Sequence, residues 1–247
     1  MLLYHGTSGA VARRAFTEGL LPRSVSGIDS LWAAHPSSPE AVYLTRAYAG
    51  YFAAAATGVG EPWGIVEVDT DRLDARCLVP DEDFLEQATQ GEKIPAGRRY
   101  ESLWGADITA RTAWFRAHLL NYSSLWADSI RGLGNCAYLG AVSPEAITRV
   151  VVVDSRKIGD LAYMVLDPVI CLMNHKFCGE KYQALTDWFI GEPVEAARVL
   201  GWSYASEYLE AAPPSMRAHM DKQLARMGEA LADRSGLEII ENKKRVA

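Results

Sequence analysis

Cysteine is scarce in this chain, with 4 in 247 residues, and histidine nearly as scarce, with 5. Cys77, Cys136, Cys171 and Cys178 are too few to staple a protein of this length, so a disulfide scaffold is excluded and a reducing cytoplasm is the expected compartment. Cys171, His175 and Cys178 have ligand-like spacing but no evident fourth ligand, so no metal is expected. Positive charge is not in excess either: Lys and Arg number 25 against 31 Asp and Glu, a net charge of -6. That balance removes a broad, charge-driven grip on nucleic acid as the default. No stretch approaches the roughly 18 to 20 apolar residues of a membrane span, and MLLYHGTS lacks the basic-then-apolar order of an export signal. The expectation is a protein that neither enters a membrane nor leaves the cell.

What is present is ordinary globular text, 49% hydrophobic and 23% charged. Leu2 to Tyr4 reads as a short strand running into a polar turn at His5-Gly6-Thr7-Ser8. A helix follows, with Ser8 or Gly9 as its cap and Gly19 as its stop. Val42 to Thr45 is a compact strand, Arg46 to Ala56 an Ala-rich helix, and Gly64 to Thr70 an alternating strand. Asp71 to Asp83 reads as turns. Helices are expected over Thr109 to Leu120 and Ser124 to Gly132, then strands at Cys136 to Val142 and Ile147 to Val153, parted by Pro144. Beyond Asp154 the pattern is helical, ending in an amphipathic stretch from Ser215 to Asp233. The fold class is therefore α+β, with a body at residues 1–154 and a helical extension at 155–247 packed on it.

Three features carry chemistry together: Tyr4-His5-Gly6-Thr7 on the first strand, Val42-Tyr43-Leu44-Thr45, and Ala49-Gly50-Tyr51 on the next helix. In that order they resemble the ADP-ribosyltransferase superfamily, in the branch of diphtheria-type toxins and poly-ADP-ribose polymerases. The resemblance covers about residues 2 to 153 and implies a split antiparallel sheet that binds NAD as co-substrate. It also implies a mono-ADP-ribosyltransferase that releases nicotinamide and modifies a protein or nucleic acid. By that resemblance His5 holds a ribose hydroxyl, the Gly6 backbone pairs with the carboxamide, and Thr7 and Thr45 line the site. Tyr43 and Tyr51 enclose the nicotinamide, with Tyr48 a competitor for the second ring. Such roles suit a reaction through an oxocarbenium-like transition state, where gripping the sugar and fixing the leaving ring both help.

Members of this branch often place a glutamate at the start of a late strand. Here that register falls at Asn135 to Ala137, so Asn135 takes the catalytic position with an amide, which hydrogen-bonds but cannot act as a base. A binding module for NAD or ADP-ribose is thus an alternative. A second is an RNA 2′-phosphotransferase, which Ala137 to Ile147, with its Pro144-Glu145 turn, also resembles. Glu145, the run Asp81-Glu82-Asp83, and Glu67 with Asp69 read most simply as solvated carboxylates. Ser129 and Arg131 read as reaching phosphates or closing a helix, and Asn174 to Cys178 as the polar edge of a packed helix.

Overall fold

The computed structural model describes residues 1–28, 37–88, 113–115, 117–165, 179–201 and 210–242. The expected helix from Thr109 lies partly outside these residues, and the Cys171-His175-Cys178 group wholly so. The elements of the body are β1 (Leu2–Ser8), α1 (Gly9–Glu18), α2 (Arg23–Ser26), β2 (Ala41–Thr45), α3 (Ala49–Ala55), β3 (Trp63–Asp69), β4 (Leu78–Pro80), α4 (Glu82–Ala88), β5 (Asn135–Leu139) and β6 (Ile147–Val153). A last strand, β7 (Leu237–Glu241), comes from the far end of the chain.

Seven strands form one sheet in the order β4-β5-β2-β1-β3-β6-β7, and every neighbouring pair is antiparallel. This is an α+β arrangement. The run Ile147 to Val153 is buried on both faces, which is why it reads as continuous valine rather than as alternation. On one face α1 packs Ala12 and Ala15 over Leu3, Val66, Val68 and Val150. Its start is set by Ser8, whose side chain accepts from the Val11 N–H at 3.4 Å. The opposite face carries two apolar clusters instead of one. The first gathers Tyr4, Ile65 and Val151 under α3 and the helix Glu180–Phe189. The second gathers Ala41, Val79 and Ala137 with Leu85, Phe115 and Leu119.

The boundary between these two clusters falls where the sheet is weakest. β1 runs beside β3 through seven residue pairs, from Leu2↔Asp69 to Ser8↔Trp63, but meets β2 at one, Tyr4↔Thr45. Past that pair His5, Gly6 and Thr7 have their ladder on the β3 side only. The β2 register continues outward to β5, with Thr45 opposite Asn135 and Tyr43 opposite Ala137. Tyr4, Thr45 and Asn135 therefore form one row across three strands, with side chains on the same face.

Residues 155–247, expected to be helical throughout, return to the sheet and supply β7 beside β6. Their helices are stitched to the body by buried hydrogen bonds: the Thr186 hydroxyl donates to the Ala47 carbonyl at 2.7 Å. Trp188 Nε1 donates to the Leu231 carbonyl at 2.8 Å, tying two of those helices to each other. Arg149 on β6 donates to the Ile190 carbonyl at 2.6 Å and lies within 4 Å of Glu67, Glu192 and Glu241. Glu67 is 4% exposed, so the reading of it as a solvated strand residue is corrected: its carboxylate takes the Thr148 hydroxyl and the edge of Arg149.

Candidate functional site

His5 lies inside β1, not in a turn after it, because the strand runs on to Ser8 against β3. Alternation puts Leu3, His5 and Thr7 on the α1 face and Tyr4 and Gly6 on the other. At the point where β1 and β2 part, His5 Nδ1 lies 2.8 Å from the Tyr43 carbonyl oxygen. A carbonyl only accepts, so Nδ1 carries the proton and Nε2 of the neutral ring is left as an acceptor. Burial of the ring lowers the His5 pKa, against a smaller upward pull from the Tyr43 carbonyl, and this favours that neutral form.

Packing alone requires a glycine at position 6. A Cβ there would stand 2.5 Å from the Ala53 nitrogen and 2.8 Å from Phe52 Cβ, pressed against the Ala49 carbonyl. The space a side chain would need is filled by α3. Thr7 is buried on the opposite face. Thr45 is buried too, and its hydroxyl is fully engaged: it donates to the Gly134 carbonyl at 3.0 Å and accepts from the N–H groups of Ala47 and Tyr48 at 3.2 and 3.0 Å. Thr45 thus sets the entry to α3 and anchors the turn before β5.

Asn135 opens β5 and is 5% exposed. Its carbonyl receives the Ser129 hydroxyl at 2.7 Å, and that same hydroxyl accepts the Asp81 N–H at 3.0 Å. Ser129 is therefore a buried brace between β5 and the β4–α4 turn. The Asn135 side chain is less well served, since its buried Oδ1 has no hydrogen-bond partner among the described residues. An orphaned buried acceptor costs about 1–3 kcal/mol, a price that a bound donor would recover.

Tyr43 is the other centre of the site. Its hydroxyl accepts the Ser38 N–H at 2.6 Å and donates to Glu82, the first residue of α4. The Ser38 N–H also reaches Glu82 Oε1 at 3.0 Å. Glu82 is buried, which corrects its reading as part of a solvated acidic loop. Burial pushes its carboxyl pKa up, while the bonds from Tyr43 and Ser38 act in the opposite direction. Burial, then the charge of Glu82, pushes the Tyr43 phenol well up, so the phenol stays protonated.

The structure brings His5, Tyr43 and Glu82 into one chain of contacts, and sets Asn135 in the row with Tyr4 and Thr45, on the sheet face opposite His5. It does not bring Tyr43 and Tyr51 into one cluster. Tyr43 packs against the cluster of Ala137 and Val79, whereas Tyr51 belongs to the cluster under the helix Glu180–Phe189, with its ring edge-on to Phe52 at 5.4 Å. Tyr48, the competitor, is 1% exposed and packs against Tyr182 at 5.6 Å. Glu82 is the residue that reading the sequence missed. The available signal was Asp81-Glu82-Asp83 as a helix start: Asp81 accepts the Asp83 N–H at 2.9 Å, and acidic residues favour a first turn. Among the described residues no group of three or more His, Cys, Asp or Glu is arranged to hold a metal, and no helix is long and apolar enough to cross a membrane.

The neutral imidazole carries a pH signature. The unfolded value is 6.5 and the folded one lower, so between them the unfolded chain binds a proton that the fold rejects. Stability from neutral His5 is complete above about pH 6.5 and is lost as pH falls toward the depressed folded value. Glu82 works with the opposite sign, since its raised carboxyl penalises the fold above its own pKa and relieves it on acidification. The His5 contribution is isolated by comparison with His5→Asn, whose amide N–H replaces Nδ1–H but does not titrate. Between about pH 7.5 and about pH 5 the urea midpoint of wild type is expected to fall further than that of the variant. Parallel profiles would mean that the fold leaves the His5 pKa where the unfolded chain has it.

No family profile matches the chain, and no curated protein matches it. Among solved structures, one named EcPltA is similar over 62% of this chain and 75% of its own, at a TM-score of 0.33 and 11% identity. A likeness of that size carries no argument.

Proposed function

We propose that the protein is an NAD-dependent mono-ADP-ribosyltransferase working at the seam between β1 and β2. The observation that carries this reading is the single-pair junction itself. The ladder stops at Tyr4↔Thr45, the His5 imidazole bridges to the Tyr43 carbonyl, and the orphaned Asn135 Oδ1 lies in the same row. A ligand entering such a seam would meet His5 from the α1 face and Asn135 from the other. Two acceptors, His5 Nε2 and Asn135 Oδ1, suit two sugar hydroxyls. Tyr43 has both its carbonyl and its hydroxyl engaged within the protein, so what it has left to offer is its ring, and a flat heteroaromatic leaving group suits that surface.

In the proposed reaction the bond between ribose C1′ and the nicotinamide nitrogen breaks, and its electron pair leaves with nicotinamide, neutralising the pyridinium. C1′ then bonds to the acceptor atom, whose proton passes to solvent. The hydrogen bonds from the sugar to His5 and Asn135 would be stronger once C1′ carries positive charge, because acidified hydroxyls donate better, and this is a preference for the transition state. Asn135 has no carboxylate to accept the acceptor's proton, which favours single transfer to an acceptor nucleophilic on its own account.

That same amide favours the second reading, a module that binds NAD or ADP-ribose without turnover. Calorimetry with NAD, followed by measurement of nicotinamide release in the presence of cell extract, separates the two. Binding with release is expected. Binding without release would leave the module, and no binding would remove both.

A further inference from the structure

The buried carboxylate of Glu82 has no place in the sugar contacts described above, yet it occupies a built site. Three groups form a closed triangle: the Ser38 N–H donates to the Tyr43 hydroxyl oxygen at 2.6 Å and to Glu82 Oε1 at 3.0 Å, and the Tyr43 hydroxyl donates to the same Oε1. Ser38 is itself 4% exposed, and its hydroxyl donates to Glu40 at 3.1 Å. The triangle ties three separate segments, the approach to β2, β2 itself and the first turn of α4. It clamps Tyr43 at the hydroxyl end, while the His5 imidazole takes the carbonyl at the backbone end.

We infer that Glu82 is a positioning residue that fixes the Tyr43 side chain before any ligand arrives. A ring held by its hydroxyl cannot swing to another χ1 rotamer without taking one hydrogen-bond donor from a buried carboxylate, so the rotamer entropy of Tyr43 is lost on folding and not on binding. As a role in the site this rests on the reading of Tyr43 as a ring surface for nicotinamide, but the clamp itself does not. The acidic neighbours Asp81 and Asp83 add negative charge beside the clamp, and Asp81 also raises the Tyr43 phenol. They work to keep the phenol neutral and donating.

The test compares wild type, Glu82→Gln, Glu82→Leu, Tyr43→Phe and the double variant Tyr43→Phe/Glu82→Leu. Side-chain coupling constants at Tyr43, measured by NMR without ligand, are expected to report one χ1 rotamer in wild type and Glu82→Gln, and averaging in Glu82→Leu. With NAD as the probe, calorimetry is expected to give a Kd for Glu82→Gln within about twofold of wild type. The Kd of Glu82→Leu and of Tyr43→Phe should rise by about tenfold, the equivalent of one freed side chain. The double variant should be no worse than either single one, because both remove the same bond. A merely structural role would lower Tm and leave rotamer and Kd unchanged, and that result in Glu82→Leu overturns the inference. Should Glu82→Leu fail to fold, an unchanged Kd in Tyr43→Phe overturns it instead. A wild type that shows the clamp by NMR but does not bind NAD would remove the proposed function and leave the clamp standing.

Discussion

Gly6→Ala is expected to destabilise the protein by about 3 kcal/mol, lowering Tm by roughly 6–12 °C for a chain of this size. The added methyl would collide with peptide atoms of α3, the Ala49 carbonyl and the Ala53 nitrogen, and backbone in a helix cannot turn aside as a side chain can. The helix must move as a body, and with it Ala49, Tyr51 and Ala53, which are buried in the larger cluster. Gly228→Ala serves as the contrast. That glycine lies in the helix Pro214–Ala232, where a Cβ would meet nothing within 4 Å. Alanine there should be neutral or stabilising by up to about 1 kcal/mol, since it lowers the entropy of the unfolded chain. The Tm of Gly6→Ala should therefore fall while that of Gly228→Ala holds or rises. Equal shifts would mean that α3 is not seated on β1 through Gly6.

His5→Asn is expected to lower NAD-dependent nicotinamide release by about 100-fold, the usual scale for losing one aimed polar contact in a transition state. The side-chain amide can still donate to the Tyr43 carbonyl, as Nδ1 does at 2.8 Å, but it has nothing in place of Nε2. Stability should stay within about 1 kcal/mol of wild type, the net worth of one hydrogen bond. The complementary variant, His5→Gln, puts its amide near the Nε2 position and gives up the tie to Tyr43, so it should lose more stability. Measuring release and urea midpoints on the same preparations separates the two ends of the ring. Full release by His5→Asn would place the chemistry elsewhere.

Local pattern made much of the body legible. Ile147 to Val153 stands at the bounds its residues suggest, the strand around Tyr43 starts one residue earlier, and the strand around Glu67 is shifted by one residue at both ends. Ser8 caps α1 as its position beside Gly9 implies. What escaped depends on partners remote in sequence. β4 is three residues long and contains Pro80, so by itself it looks like a turn, and it becomes a strand by pairing with β5. β7 reads Leu-Glu-Ile-Ile-Glu, without the alternation that marks a strand, and its Glu238 is held by Arg13, 225 residues away. The site divides along the same line. His5, Tyr43 and Asn135 were visible as residue types in order, whereas the burial of Glu82 is decided by a hydroxyl 39 residues earlier in the chain. Tyr51 takes its expected place at the nicotinamide from the resemblance alone, and in the fold it sits in the larger apolar cluster. The helix Glu180–Phe189 that helps bury it comes from a stretch to which the resemblance does not extend.

The return of β7 to the outer edge of β6 bears on how the protein can be handled. A fragment ending after Asp154 would strip that cover and leave Val150 to Val153 with bare amide and carbonyl groups along one side. Four consecutive β-branched residues in an unprotected border are a template for stacking onto other copies, so such a piece should precipitate or form fibrils during purification.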